Sequence, residues 1–100
     1  IRAEKENISE LNLDSENVGD DMIQILALCS NLKNLFFLHL SNNNISDKGM
    51  EYFSKCDFLE NLTWLELDNN NMSDKGMEYF SKCNFLKNID GLYLSCNNIS

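Results

Sequence analysis

One histidine, four cysteines and sixteen acidic residues are the groups in this 100-residue chain with chemistry to offer. His39 would act as a general base only with a nucleophile or carboxylate held within hydrogen-bond reach. Glu66 stands 27 residues further along, and that interval recurs through the chain. A His39–Glu66 pair is therefore expected if successive copies stack side by side. Its expected use is surface electrostatics or partner contact. No nucleophile–base–acid constellation accompanies it, so no catalytic residue is assigned.

Cys29, Cys56 and Cys83 follow the same interval, and Cys96 breaks it. Zinc sites draw on close pairs such as C-x-x-C or on added histidines, and neither occurs. Cysteines on neighbouring helices would be about 10 Å apart, beyond the roughly 7 Å limit for a disulfide. The three periodic cysteines read as a row of small buried side chains, and Cys96 as a free thiol in a loop. Free thiols with no bridge pattern fit a reducing, cytoplasmic setting; a secreted or host-delivered protein stays open. The loops SNNNISD and DNNNMSD bear a superficial likeness to calcium loops. Counted from Asp68, however, the fifth position is Met72 and no glycine follows it, against the EF-hand requirement. No metal and no cofactor is assigned. The five N-x-S/T sequons, at Asn7, Asn44, Asn61, Asn71 and Asn98, read as by-products of the repeat.

The net charge of −8, with Arg2 as the only arginine, excludes a nucleic-acid binder, which needs clustered bases to displace counterions. No apolar run approaches the roughly 18 residues of a membrane span, and no signal peptide opens the sequence. A first residue other than Met leads to the expectation of a processed or excised segment. The apolar fraction of 43% is enough for a packed core.

The elements that must position these groups come from an internal repeat. Residues 34–60 and 61–87 agree at 20 of 27 positions, and SDKGMEYFSKC is identical in both. A diverged copy covers 7–33 and a partial one 88–100. Within each copy the apolar residues follow LxxLxLxxNxL: Leu35, Leu38, Leu40 and Ile45, then Leu62, Leu65, Leu67 and Met72. The flanking copies carry Ile8, Leu11, Leu13 and Val18, and Ile89, Leu92, Leu94 and Ile99. Alternation in the LxL part is the period-2 signature of a short strand with one buried face. Ser46-Asp47 and Ser73-Asp74 read as helix starts, a serine N-cap followed by an acid. Gly49, Phe53 and Cys56 then fall on one helical stripe with Met50 beside them. The first copy repeats the plan with Gly19-Asp20, Met22, Leu26 and Cys29.

The segments LFFLHLSNNNISDKGMEYFSKC and LTWLELDNNNMSDKGMEYFSKC resemble the leucine-rich repeat family, in its ribonuclease-inhibitor-like or cysteine-containing long subtype. The resemblance runs from Asn7 to the end. It implies an α/β solenoid, a curved right-handed coil with a parallel sheet on the concave face and helices on the convex face. Strands stacked about 4.8 Å apart beside helices that need about 8–10 Å force that curvature. Asn43, Asn70 and Asn97 form the expected structural ladder, satisfying backbone groups of the turn after each strand. Glu16 replaces asparagine in the first copy and is expected to do so only partly. Neither end carries an evident polar cap. The chain is therefore expected to continue in a longer array, or to self-associate through uncapped ends.

Strand alternation places three rows on the concave face. These are Glu10, Phe37, Trp64 and Gly91; Asn12, His39, Glu66 and Tyr93; and Asp14, Ser41, Asp68 and Ser95. Phe37, Trp64 and Tyr93 are expected to point off the sheet into solvent, surrounded by acids. Such a patch fits a protein partner with basic residues around an apolar anchor. The candidate contacts are Glu10, Asn12, Asp14, Phe37, His39, Trp64, Glu66, Asp68 and Tyr93. The resemblance implies a non-catalytic scaffold. The alternatives are an assembly segment of a larger repeat protein, or a regulator of a small GTPase. The last is weakened because no arginine lies within the repeats to approach a phosphate.

Overall fold

The computed structural model describes residues 8–98. Ile99, Asn7 and residues 1–6, on which the expected repeat and the missing cap partly rest, lie outside the described residues. Four short strands alternate with three helices: β1 (Glu10–Asn12), α1 (Gly19–Leu26), β2 (Phe37–His39), α2 (Asp47–Phe53), β3 (Trp64–Glu66), α3 (Asp74–Phe80) and β4 (Gly91–Tyr93). A short 3-10 turn at Ser30–Leu32 returns the first coil to the sheet. The strands form one parallel sheet in chain order. Its register pairs Leu11 with Leu38, Leu38 with Leu65, and Leu65 with Leu92. The molecule is an α/β leucine-rich-repeat solenoid.

The inner strands β2 and β3 bury their middle leucine against the helix layer, and the outer strands half-bury theirs. Leu38, Leu40, Leu65 and Leu67 are essentially sealed from water, with Ile45, Met50, Phe53 and Cys56 on the helical side. The first copy departs from the expected stripe. Ile23 and Leu26 carry its core contact, while Met22 and Cys29 stay outside the sealed core. The period makes Ile23 equivalent to Met50 and Met22 to Gly49, so the same position is sealed in both coils; α1 starts at Gly19 with Val18 before it and no side-chain cap. In α2 and α3 the expected caps form, Ser46 and Ser73 accepting from the Lys48 and Lys75 N–H groups.

The asparagine runs have two separable uses. Asn42, Asn44 and Asn69 sit at φ near +60°, as do Ser15 and Cys96 at positions equivalent to Asn42; asparagine tolerates this left-handed region better than most residues. The ladder residues between them link coils. Asn70 Oδ1 accepts from the Asn43 and Ile45 N–H groups of the preceding coil, and Nδ2 donates to Leu40, Leu67 and Asp68 carbonyls. Asn43 does the same for Glu16 and Val18. Each ladder side chain serves the coil before it as well as its own, and the Glu16 backbone N–H is served by Asn43.

A second ladder runs along the helix starts. Asp20 accepts from the backbone N–H and hydroxyl of Ser46, and Asp47 from those of Ser73. The carboxylate also faces the next helix's glycine. A β-carbon on Gly49 would collide with Asp20 Oδ1, and one on Gly76 would lie 2.6 Å from Asp47 Oδ1. Asp20 and Asp47 are therefore clips between coils, not only favourable charges at helix starts.

Partial burial opposes ionisation of Asp47, but its bonds from the Ser73 hydroxyl and from the Ser73 and Gly76 backbone outweigh this and hold its carboxyl below the ordinary 3.8. A carboxyl depressed in the folded state adds stability above its unfolded value and loses it as pH falls through the folded value. Wild-type protein should therefore lose stability below pH 3.8 more steeply than Asp47→Asn. Urea midpoints taken between neutral and acid pH check this; parallel profiles would show that the clip does not depend on charge.

Candidate functional site

The concave face is built by the residues flanking each buried leucine, because successive strand side chains point to opposite sides. On β2 these are Phe37 and His39, and on β3 Trp64 and Glu66. Register then brings Glu10, Phe37, Trp64 and Gly91 into one row, and Asn12, His39, Glu66 and Tyr93 into the next.

At the centre, both nitrogens of His39 meet carboxylates. Nδ1 lies 2.9 Å from Glu66 Oε1, and Nε2 lies 2.7 Å from Glu10 Oε2. The other oxygen of Glu66 accepts from the Trp64 indole N–H at 2.8 Å. Burial disfavours the charged imidazole, but the bonds to Glu66 and Glu10 and the field of Glu66 and Asp14 overcome this and raise its pKa above 6.5. The His39 bond, and then the Trp64 N–H, hold Glu66 below the usual carboxylate range. No nucleophile contributes to this network, and its groups suit it to holding a cation.

The aromatic part differs from the expectation. Phe37 and Tyr93 stand exposed at 40% and 43%, whereas Trp64 is half-buried. Its indole stacks on Tyr93 with ring centroids 5.0 Å apart and lies across Gly91, where a β-carbon would collide with the six-membered ring. Trp64 thus does not project freely into solvent: it lies down along the sheet because the next strand offers no side chain at that place. Gly91, placed in the first row but not among the candidate contacts, is the residue that makes room for the ring. The signal for it was a glycine where the neighbouring copies carry Phe37 and Trp64.

The remaining candidates are tied to the backbone. Asn12 Oδ1 accepts from the Asp14 N–H. Asp14 Oδ1 accepts from the Ser41 N–H at 2.7 Å, and Asp68 Oδ1 from the N–H and hydroxyl of Ser95. Both acids therefore close one coil onto the next while lining the face. Asp14 also approaches the second row diagonally. Ligand atoms of Asp14, His39 and Glu66 all lie within 4.8 Å of one another, a grouping that reading row by row does not reveal. Among the described residues, no lysine or arginine belongs to the three concave rows.

The cysteines are all free. Cys56 and Cys83 are buried, which pushes their thiols up to about 12 and about 11; they are inert packing residues. Cys96 is exposed.

Residues 31–54 and 59–81 match the family model described as Leucine Rich repeat. No match was found among curated proteins. Among solved structures, that of "Leiomodin-1 Actin-Binding Site 2 (ABS2)" is similar over 97% of this chain, with 16% identity and a TM-score of 0.78. The chain spans 58% of that structure's length. An internalin from Listeria monocytogenes aligns with 75% of this chain and 26% of its own, at 25% identity and a TM-score of 0.44. The leiomodin likeness shows a shared solenoid fold.

Proposed function

We propose that the chain is a non-catalytic scaffold that holds a protein partner on its concave sheet face. The single observation that carries this is the continuous patch in which Phe37 and the Trp64–Tyr93 stack sit among Glu10, Asp14, Glu66 and Asp68, with no lysine or arginine in its three rows among the described residues. Large aromatic surfaces supply most of the energy at protein interfaces, and a single-sign rim selects a partner of opposite charge. The partner is read as a protein presenting lysine or arginine beside an apolar anchor. Nucleic acid is disfavoured by the same charge, and no helix among the described residues is long and apolar enough to cross a membrane. No cofactor and no catalytic residue enter this reading.

The periodic row Cys29, Cys56 and Cys83 favours the cysteine-containing subtype, and the free thiols favour a reducing, cytoplasmic compartment. The repeat boundaries 7–33, 34–60, 61–87 and 88–100 are proposed as the units of one domain. An assembly role is the second reading, favoured by Ile25 and Leu28 on the outer side of the first coil, exposed at 56% and 82%. Light scattering decides it, since a stable monomer speaks against assembly. Regulation of a small GTPase has only the general fold behind it, and stimulation in a GTPase assay would support it.

The binding reading is tested with peptides that set lysine or arginine around one aromatic or aliphatic side chain. Actin is the second probe, because the similar leiomodin structure is that of an actin-binding site. Affinity should fall as salt rises, because an exposed charged rim is screened. Phe37→Ala should remove capture while leaving the melting temperature nearly unchanged. Trp64→Ala should also remove capture but with a modest loss of stability, since its ring is half-buried. Capture that survives both substitutions would end the proposal.

A further inference from the structure

The geometry points to a divalent metal site at Asp14, His39 and Glu66, taking a first-row ion such as Zn2+. It rests on how the imidazole is surrounded and is independent of any protein partner. A neutral imidazole donates from only one nitrogen, yet both nitrogens of His39 face a carboxylate oxygen within 2.9 Å. The second carboxylate is met by a second ring proton, or by a metal ion that takes that proton's place. Glu66 belongs to the close trio and faces Nδ1, so Nδ1 is the ligating nitrogen. Glu10 then accepts from Nε2–H, the carboxylate–histidine–metal relay that fixes a ligand's tautomer.

The distances suit an ion. Ligand atoms bound at about 2.0–2.1 Å are about 2.9 Å apart at right angles and about 3.3 Å apart in a tetrahedron. Nδ1 and Glu66 Oε1 already stand 2.9 Å apart, and the trio as a whole spans no more than 4.8 Å. Modest side-chain rotation closes it.

Each ligand also has outer support. The Ser41 N–H holds Asp14, Glu10 holds His39, and the Trp64 indole N–H holds Glu66. Such supporting contacts orient metal ligands and raise affinity. One imidazole with two carboxylates selects a first-row ion over Mg2+ or Ca2+, which prefer oxygen alone. The fourth position is left to water or to a group from a partner.

Calorimetry of the full chain with Zn2+, with Mg2+ as control and the thiols reduced, tests this directly. One Zn2+ should bind per chain and Mg2+ should not compete. His39→Gln should weaken binding at least about 100-fold, and Glu10→Gln about 10- to 100-fold as a positioning residue. Co2+ should quench Trp64, the only tryptophan, and give a visible absorption band that His39→Gln removes. Cys96→Ser should change nothing. Failure to bind Zn2+, binding unaltered by His39→Gln, or binding lost in Cys96→Ser would each overturn the assignment. Should circular dichroism show His39→Gln misfolded, Asp14→Asn decides alone, because its amide oxygen still accepts from Ser41; unweakened binding there refutes the site.

Discussion

Replacing Asn70 with alanine should cost roughly 3–5 kcal/mol, far more than the loss of an average hydrogen bond. The side chain is 8% exposed and makes five bonds at once. Two backbone N–H groups of the preceding coil lose their acceptor, at Asn43 and Ile45, and carbonyls of both coils lose a donor. A buried group left without a partner costs about 1–3 kcal/mol each, and alanine leaves a small void that one water fills only in part. Asn97→Ala is the internal control. Asn97 is half-buried, and its Oδ1 accepts from the Met72 N–H of the coil before, so its loss should cost about 1–2 kcal/mol. Urea unfolding measures both, through a shifted midpoint at constant slope. Equal losses at the two positions would mean that solvent replaces the ladder even at the centre of the stack.

Much of this solenoid was legible because every coil repeats one environment. Leu38 and Leu65 occupy the same surroundings, so a period of 27 and the alternation around each leucine suffice to place strand, turn and helix. The sequence also pairs His39 with Glu66, because equivalent positions on parallel strands are neighbours. Contacts that leave the row were harder to read. Glu10 and Asp14 reach His39 diagonally, and the direction of a β-carbon does not say where a long carboxylate side chain ends. Trp64 shows the same limit: alternation puts its β-carbon on the concave side, and the gap over Gly91 then lets the indole fold down onto the sheet. Asp47 looked like a helix-start acid, and only the stacking of coils reveals that it clips Ser73. In the first copy the period equates Ile23 with Met50 and Met22 with Gly49, so its sealed position was legible by the same count.

Truncating the central strand leucines to alanine should produce a graded series along the stack. Leu38 and Leu65 have no exposed surface. Each strand has a paired strand on both sides, and the helix layer lies beneath, so little can collapse into the space that alanine leaves. Each of these two substitutions should cost roughly 2–5 kcal/mol, lost transfer energy plus an unfilled cavity. Leu11 and Leu92 hold the same place on the outer strands but are only half-buried. Part of their side chain already meets water, and among the described residues each has a paired strand on one side only, so the coil can relax and about 1–2 kcal/mol is expected at each. Stability in stacked repeats is set by each unit and its contacts with its neighbours, and the series measures how much the inner coils depend on being covered twice. A flat series, with the outer leucines as costly as the inner ones, would require a further layer packed over β1 and β4 in solution. In that event the exposed Leu28 is the first residue to probe for what covers it.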